Sequence, residues 1–400
     1  MEITKRFEKE NLIAILLKML YVLLHFIATV LINRGLSTEL KGEYSFIVNM
    51  VSVFGIIGGF GLDLLYLECK KRYGKVILSA FIAVTMILSG IVVFFAVIIY
   101  VFSTNKEMFF ICFLTGVYIL FQNISMYACV ENIKKRNCII LLIQLGYLSF
   151  LFLLYNLRYR NVWCYLLLYA IEMIITVGTI LKVYNFHPSL DYFRQHNSFL
   201  GFMIFHGVKG MIITLLISFN YNIDIIMLKM ANINLDLIGI YSAAVTLSSA
   251  ILLIPDSLKE IVLGKSTKSA DTKFVKKYLY INWGIMTVVF MTFAFLGEFF
   301  ITIFYGIEYS QAYQLTLILF LGDIFMCFYK IIHPIIIADG NQNIVIFFLT
   351  ISVVVNIVCN ICTIPRFNVF GAACSSVMSY ALTGILFLIY YLRHYRKEDS

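Results

Sequence analysis

The chain has little charge and almost no proline. Of its 400 residues 13% are charged and 4 are proline, against 61% hydrophobic residues and a mean hydropathy of +0.91. A water-soluble globule carries roughly 25% charged residues, about twice this share, so a soluble fold is excluded. There is no His-Glu-x-x-His, no Gly-Lys-Ser phosphate loop and no polar stretch long enough for a nucleotide-binding domain, which argues against an enzyme. The nine cysteines lie mostly inside apolar stretches at irregular spacings and read as small hydrophobes, with no disulfide framework, zinc site or other metal site. Acidic residues are the scarcer sign, 22 against 31 Lys and Arg, for a net charge of +9. The basic residues fall in short clusters between apolar runs, where they act as topology signals and not as a nucleic-acid surface.

What is there is apolar and periodic. A hydrocarbon core about 30 Å thick takes roughly 20 apolar residues per helical crossing. Twelve stretches qualify, at about Leu12–Ile32, Tyr44–Leu67, Val76–Phe102, Met108–Val130, Cys138–Tyr155, Val162–Tyr184, Phe199–Leu228, Ile238–Leu258, Tyr278–Leu296, Gln311–Ala338, Ile344–Ile364 and Gly371–Tyr391. Lys5, Arg6 and Lys9 before the first run imitate a secretory signal, but the run is too long and contains Lys18 and His25, so it reads as an uncleaved helix. With both termini cytoplasmic, 21 Lys and Arg fall inside, among them Lys134, Lys135 and Arg136, and 7 outside, among them Lys41. Short cytoplasmic loops retain positive charge, so this asymmetry sets orientation and supports the even number of crossings.

Shifting the sequence by 197 places Leu31, Leu40, Gly42, Tyr44 and Ser45 on Leu228, Leu237, Gly239, Tyr241 and Ser242, with Glu39 on Asp236. Six crossings per half preserve orientation, which predicts a parallel repeat about an axis along the membrane normal. The expected fold is all-α and integral to the membrane, with two six-helix bundles at residues 1–190 and 191–400 joined by a polar linker over about 184–198.

Charge inside a bilayer costs roughly 2.5 to 3.5 kcal/mol per residue at a helix centre on insertion scales, so it faces a partner or a wet cavity. Lys18 and His25, His206 and Lys209, and Asp323, Lys330 and His333 are spaced by seven, three, and seven and three residues, each set along one helical stripe. Lys18, Lys209 and Lys330 are expected to meet an anionic group such as a pyrophosphate in a central cavity, with His25, His206 and His333 as donors or titratable partners. The competing expectation is internal neutralisation, by Asp323 and Glu172 for two of the lysines and by snorkelling for Lys18. Glu172, Asp224 and Asp323 are the candidates for coupling to a proton or sodium gradient. Asp63 and Glu260 read as solvated helix ends.

Short motifs then point to a family. Gly35-Leu36-Ser37-Thr38-Glu39 with Gly42-Glu43-Tyr44, Ile223-Asp224 with Gly239-Ile240-Tyr241-Ser242-Ala243-Ala244, Phe304-Tyr305-Gly306-Ile307-Glu308-Tyr309, Ala338-Asp339-Gly340-Asn341, and Ile364-Pro365-Arg366-Phe367-Asn368-Val369-Phe370-Gly371 follow in order along most of the chain. This series resembles the repeat-unit (O-antigen, Wzx-type) flippases of the multidrug/oligosaccharidyl-lipid/polysaccharide exporter superfamily. Asn368 stands where that family often has Gly. The resemblance implies a V-shaped pair of bundles around a lumen, and a polyprenyl-pyrophosphate-linked oligosaccharide carried from the inner to the outer leaflet of a bacterial plasma membrane by alternating access. It implies no cofactor, and its partners are the lipid-linked glycan, the bilayer and other polysaccharide-assembly proteins. It assigns no site residue; those rest on stripe geometry. The alternatives are a cation-coupled multidrug exporter of the same superfamily and a membrane polysaccharide polymerase or ligase. The sugar, the coupling ion and the choice between O-antigen and capsule are not written in these motifs.

Overall fold

A computed structural model describes residues 2–103, 105–192, 198–252, 255–256 and 272–394. Among them every long element is a helix: α1 (Glu2–Gly35), α2 (Thr38–Gly59), α3 (Leu62–Tyr73), α4 (Leu78–Phe102), α5 (Lys106–Asn156), α6 (Val162–Tyr184), α7 (Ser198–Met230), α8 (Leu235–Ile251), α9 (Thr272–Phe304), α10 (Ala312–Ala338) and α11 (Gln342–His394). Asn side chains cap three starts: the Asn105, Asn161 and Asn234 carboxamides accept from the backbone N–H groups of Met108, Trp163 and Asp236 at 3.2, 3.0 and 3.3 Å. Eight of the described helices are long and apolar enough to cross a bilayer.

Two of these eight count double. A straight helix of 51 or 53 residues would run roughly 75–80 Å, more than twice a hydrocarbon core. Both α5 and α11 are broken at one residue, Asn132 (φ −159°, ψ 96°) and Asn368 (φ 51°, ψ −129°). Across the first break the Arg136 guanidinium donates to Ser125 Oγ at 2.8 Å; across the second, Thr363 Oγ1 and Ser375 Oγ are 2.9 Å apart. Residues 11 and 12 apart would be separated by roughly 16–18 Å in a continuous helix, so both elements are helical hairpins. With the shorter apolar stretches Met19–Gly35 and Leu235–Ile251, each of the twelve expected segments contains a helix among the described residues.

The second crossing needs correcting at its end. It stops at Gly59, because Phe60 and Gly61 take positive φ values of 54° and 64° and turn the chain into α3. Gly61 is needed there: a Cβ on it would lie 2.3 Å from the carbonyl oxygen of Gly207. The helix α3 is tied to the first break. Lys70 reaches the carbonyl of Val130 at 2.9 Å and the Glu131 carboxylate at 2.8 Å, while Tyr66 donates to the same carboxylate at 2.8 Å. A cation at carbonyls that have lost their helical partners stabilises the helix end.

Contacts divide the chain into two compact units. Unit 1 comprises 1–37 and 47–215, unit 2 comprises 38–46 and 216–400. This division crosses α2 and α7 and so differs from the bundle division at 190 expected from the repeat. The first unit is cored by Leu62, Leu65, Tyr66, Phe81, Ile124, Tyr127, Ile180 and Phe199, the second by Met326, Tyr329, Ile332, Leu349, Tyr380 and Phe387. Large apolar side chains also face outward: Phe102 and Phe295 are 84% and 85% exposed. Such side chains are costly in water and are at home in hydrocarbon, which makes this a multi-pass membrane protein.

Unit 2 also carries the repeat in three dimensions. Ser45 Oγ donates to Ser242 Oγ at 2.8 Å, and these two are repeat mates. A Cβ on Gly42 would lie 2.1 Å from the Leu235 carbonyl oxygen, and one on Gly239 would lie 2.0 Å from that of Thr38, the residue 197 before Leu235. Each half thus makes the other's contact in return, as at a local two-fold axis. Thr38 adds a hydrogen bond to Asp236 at 2.5 Å.

Candidate functional site

In unit 1 the candidate side chains come from α1, α6 and α7, and α5 adds Arg136. Lys18 belongs to α1, and its side chain lies outside the described residues. His25 is exposed and stacks on Tyr21 with ring centroids 6.0 Å apart. Tyr21 lies within electrostatic reach of Glu172 on α6 and of Arg136 on the second arm of α5. The Glu172 carboxylate is half-buried, and no described side chain hydrogen-bonds to it. Arg136 was expected in a loop. It is half-buried inside unit 1, donating to Ser125 Oγ from Nε at 3.1 Å and Nη2 at 2.8 Å, and to Asn137 Oδ1 from Nη1 at 3.0 Å.

His206 and Lys209 sit on α7. Lys209 is exposed and lines an open hollow of about 570 Å³ with Gly201, Phe205 and Val208. His206 is half-buried, stacks on Phe202 at 4.0 Å and places Nδ1 3.0 Å from the Phe202 carbonyl oxygen. His333 in unit 2 repeats the device on Tyr329, with a centroid distance of 4.4 Å and Nδ1 at 3.2 Å from the carbonyl oxygen. A carbonyl oxygen only accepts, so Nδ1 carries the proton at both sites. With Nδ1 bonded in this way, donation from Nε2 to an anion requires a second ring proton.

Unit 2 pairs its lysine. Lys330 makes a 3.0 Å ion pair with Asp256 and lies 5.4 Å over the Tyr221 ring. The expected neutralising partners were Asp323 and Glu172, but the carboxylate that meets Lys330 comes from Asp256, just beyond α8. Asp323 is 1% exposed, accepts from Ser248 through Oδ2, and has no hydrogen bond at Oδ1 among the described residues. Lys41, expected in a loop, is 5% exposed in the first turn of α2, its ammonium 5.2 Å over the Tyr44 ring.

The most developed polar cluster surrounds Asp224. Tyr241 donates to its Oδ2 at 2.7 Å, Ser376 donates to the same oxygen, and Asn360 Nδ2 donates to Oδ1 at 2.6 Å and to Asn356 Oδ1 at 2.8 Å. One turn away on α7, Asn220 accepts from Ser379 at 2.6 Å and donates to Thr383 at 3.2 Å. Asp224, Asn220, Asn356, Asn360, Ser376, Ser379 and Thr383 are each 0–1% exposed. A buried carboxylate held by three donors is stable only while all three are in place, so this cluster specifies the packing of α7, α8 and α11. Outside the crossings, Asp63 is half-buried and accepts from Gln122 at 3.1 Å, so it is not a freely solvated helix end. Glu260 lies outside the described residues, as do Arg194 and His196 of the expected linker.

Groups of three or more His, Cys, Asp and Glu able to hold a metal are absent among the described residues. The described residues place dispersed cations, histidines and buried carboxylates within the helices.

Comparison with known proteins agrees with that architecture. No curated protein sequence matches the chain. A structure of the lipid II flippase MurJ in an inward closed conformation matches with a TM-score of 0.70 at 16% identity, over 95% of this chain and 87% of that one. An inward-facing multidrug resistance MATE family transporter of the MOP superfamily matches with a TM-score of 0.64 at 11% identity, over 97% and 99%. A Vibrio cholerae MATE transporter matches with a TM-score of 0.62 at 14% identity, over 97% and 98%. At these identities the likeness establishes the fold alone, one shared with these transporters. The family model described as polysaccharide biosynthesis protein matches residues 9–256, more than half of the sequence, and the chain belongs to that family.

Proposed function

We propose that the protein is a flippase that carries a polyprenyl-pyrophosphate-linked oligosaccharide repeat unit from the cytoplasmic to the outer leaflet of a bacterial plasma membrane, with both termini cytoplasmic, for O-antigen or capsule assembly. The observation that carries this reading is the pairing of membership in a polysaccharide biosynthesis family with the fold of a lipid II flippase. The polar headgroup cannot pass hydrocarbon unaided, so the protein supplies compensating groups along the way. In this reading Lys209, exposed beside its hollow, and Lys18 meet the pyrophosphate first. Lys330 joins by exchanging the Asp256 carboxylate for a phosphate oxygen, and His25, His206 and His333 contribute when protonated. Two six-helix bundles rock to expose the lumen alternately to each side. Glu172, Asp224 and Asp323 are the proposed carriers of the coupling proton or sodium ion.

A second reading has its own support in the fold of the multidrug transporters. Cationic drugs would favour an acidic lumen, and the intramembrane cations here oppose it. The two are separated in cells that depend on this protein for surface glycan. Lys209→Ala and Lys330→Ala are expected to remove surface glycan at normal protein levels and to leave drug tolerance unchanged. Normal glycan with lowered drug tolerance would reverse the assignment.

A further inference from the structure

Three polar atoms buried in unit 2 have no hydrogen-bond partner among the described residues: Asp323 Oδ1 and the Tyr329 hydroxyl on α10, and the Tyr221 hydroxyl on α7. Asp323 and Tyr329 are each 1% exposed. Buried polar atoms are satisfied by protein or by ordered water, and the described residues do not satisfy these three. They belong to one region. Tyr221 is within electrostatic reach of Asp323, Tyr329 and Asp256, and its ring lies 5.4 Å from the Lys330 ammonium and 5.6 Å from the Tyr380 ring. Lys330 pairs with Asp256 at 3.0 Å, and these two side chains keep 17% and 23% of their surface accessible. We propose that the Tyr221 hydroxyl, with bound water on either side of it, relays a proton between the buried Asp323 and the partly exposed Asp256. The coupling role of Asp323 rests on the transport reading above, whereas the relay itself does not.

Hydrogen-bonding capacity selects the proton as the species that moves. Asp323 Oδ2 accepts from Ser248, which leaves Oδ1. An ionised carboxylate only accepts, and one donor compensates little of a charge held in the interior; the acid, with its proton on Oδ1, needs a single acceptor, which water supplies. The titratable side chains that act electrostatically with Asp323 are Tyr221 of α7, Cys327 and Lys330 of α10 and Tyr380 of α11. Lys330 is the cation among them, and it is already paired with Asp256. A tyrosine hydroxyl both donates and accepts, so it passes a proton on without changing its own charge. The transfer balances. Asp323 gives its proton to a water, that water gives one to Tyr221 Oη, and the proton Tyr221 held leaves through a second water to the Asp256 carboxylate. The Tyr329 hydroxyl, also within electrostatic reach of Asp256, holds that second water. Asp323 ends as the carboxylate and Asp256 as the acid, and the reverse order restores both. Once Asp256 is neutral, Lys330 has lost its counter-ion and is freed for a phosphate oxygen.

The test reads infrared spectra of the full-length protein in liposomes, with no glycan lipid present. A protonated-carboxyl band is expected in the wild type and is lost in Asp323→Asn. On transfer from water to heavy water, that band is expected to shift while the peptide groups of the helices are still protonated. In Tyr221→Phe the shift slows about tenfold, the effect of removing one hydrogen-bonding group from the path. A structural defect has the opposite sign, because loosened packing speeds carboxyl and peptide exchange together. A wild type without a band that Asp323→Asn removes, a band that exchanges as slowly as the core peptide groups, or an unchanged or faster shift in Tyr221→Phe would each overturn the proposal. The first two outcomes need no tyrosine variant, so a Tyr221→Phe protein that fails to fold leaves the proposal open to refutation. Transport is not read, so a failed relay leaves the flippase reading standing, and a failed flippase reading leaves this result unaffected.

Discussion

Replacing Gly239 by Ala is expected to part the crossing of α2 and α8 in unit 2. The added methyl would start 2.0 Å from the Thr38 carbonyl oxygen, where a carbon–oxygen contact needs about 3.3 Å. The obstacle is backbone on a neighbouring helix, so no side chain can swing aside and the helices must separate by about 1.3 Å. Overpacking of this kind costs roughly 1–3 kcal/mol. The separation also breaks the Ser45–Ser242 and Thr38–Asp236 hydrogen bonds, each contributing about 1 kcal/mol, for a total of about 3–5 kcal/mol. The assay is disulfide formation between Ser45→Cys and Ser242→Cys in a cysteine-free background, with thermal melting as a second readout. Oxidation is expected to link the pair rapidly when position 239 is Gly and slowly when it is Ala. Unchanged cross-linking and melting in the Ala variant would refute the close crossing and the local two-fold with it.

Other changes have expected outcomes of different sign. Asp224→Ala strips Tyr241, Asn360 and Ser376 of their acceptor and should cost about 3–5 kcal/mol, seen as loss of monodisperse protein, while Asp224→Asn retains most of it. Asn368→Gly should raise the melting temperature, because φ 51° and ψ −129° form the backbone of a first central residue in a II′ turn, which Gly adopts without the roughly 1–3 kcal/mol of strain a side chain brings. In a variant keeping Cys69 as its one cysteine, burial, with Glu68 adding to it and Arg72 opposing, pushes the thiol up to about 11. The thiolate is the reactive form, so maleimide labelling of the native protein should keep rising up to about pH 11, whereas in denaturant it should level off near pH 9.

The membrane class and the helical segments were legible because apolar length is a direct requirement of the bilayer. The repeat was legible from six residue pairs, and Ser45 against Ser242 shows why those residues recur: they meet. The breaks were harder to place. Lys134-Lys135-Arg136 reads as a polar loop, yet the chain turns at Asn132 alone, and Arg136 is then carried into the interior of unit 1 by the second arm of α5. The partner of Lys330 was missed because Asp323, seven residues earlier, is the obvious choice along one helix. Asp256 comes from 74 residues away, a contact that only the tertiary packing makes. For the histidines the signal was present and unread. His25, His206, His333 and His394 each follow an aromatic residue by four positions, Tyr21, Phe202, Tyr329 and Tyr390, and each stacks on it.

Transport itself is the most direct test of the proposed function. Purified protein in liposomes would be given a polyprenyl-pyrophosphate oligosaccharide with a fluorophore on the sugar, quenched by a reagent confined to one side of the bilayer. Labelled lipid should become fully quenchable with wild-type protein, and only the half initially on the quencher's side should be quenched in empty liposomes or with Lys209→Ala. Half-quenching with the wild type, or full quenching with the variant at the wild-type rate, would contradict a flippase that handles its cargo through that lysine.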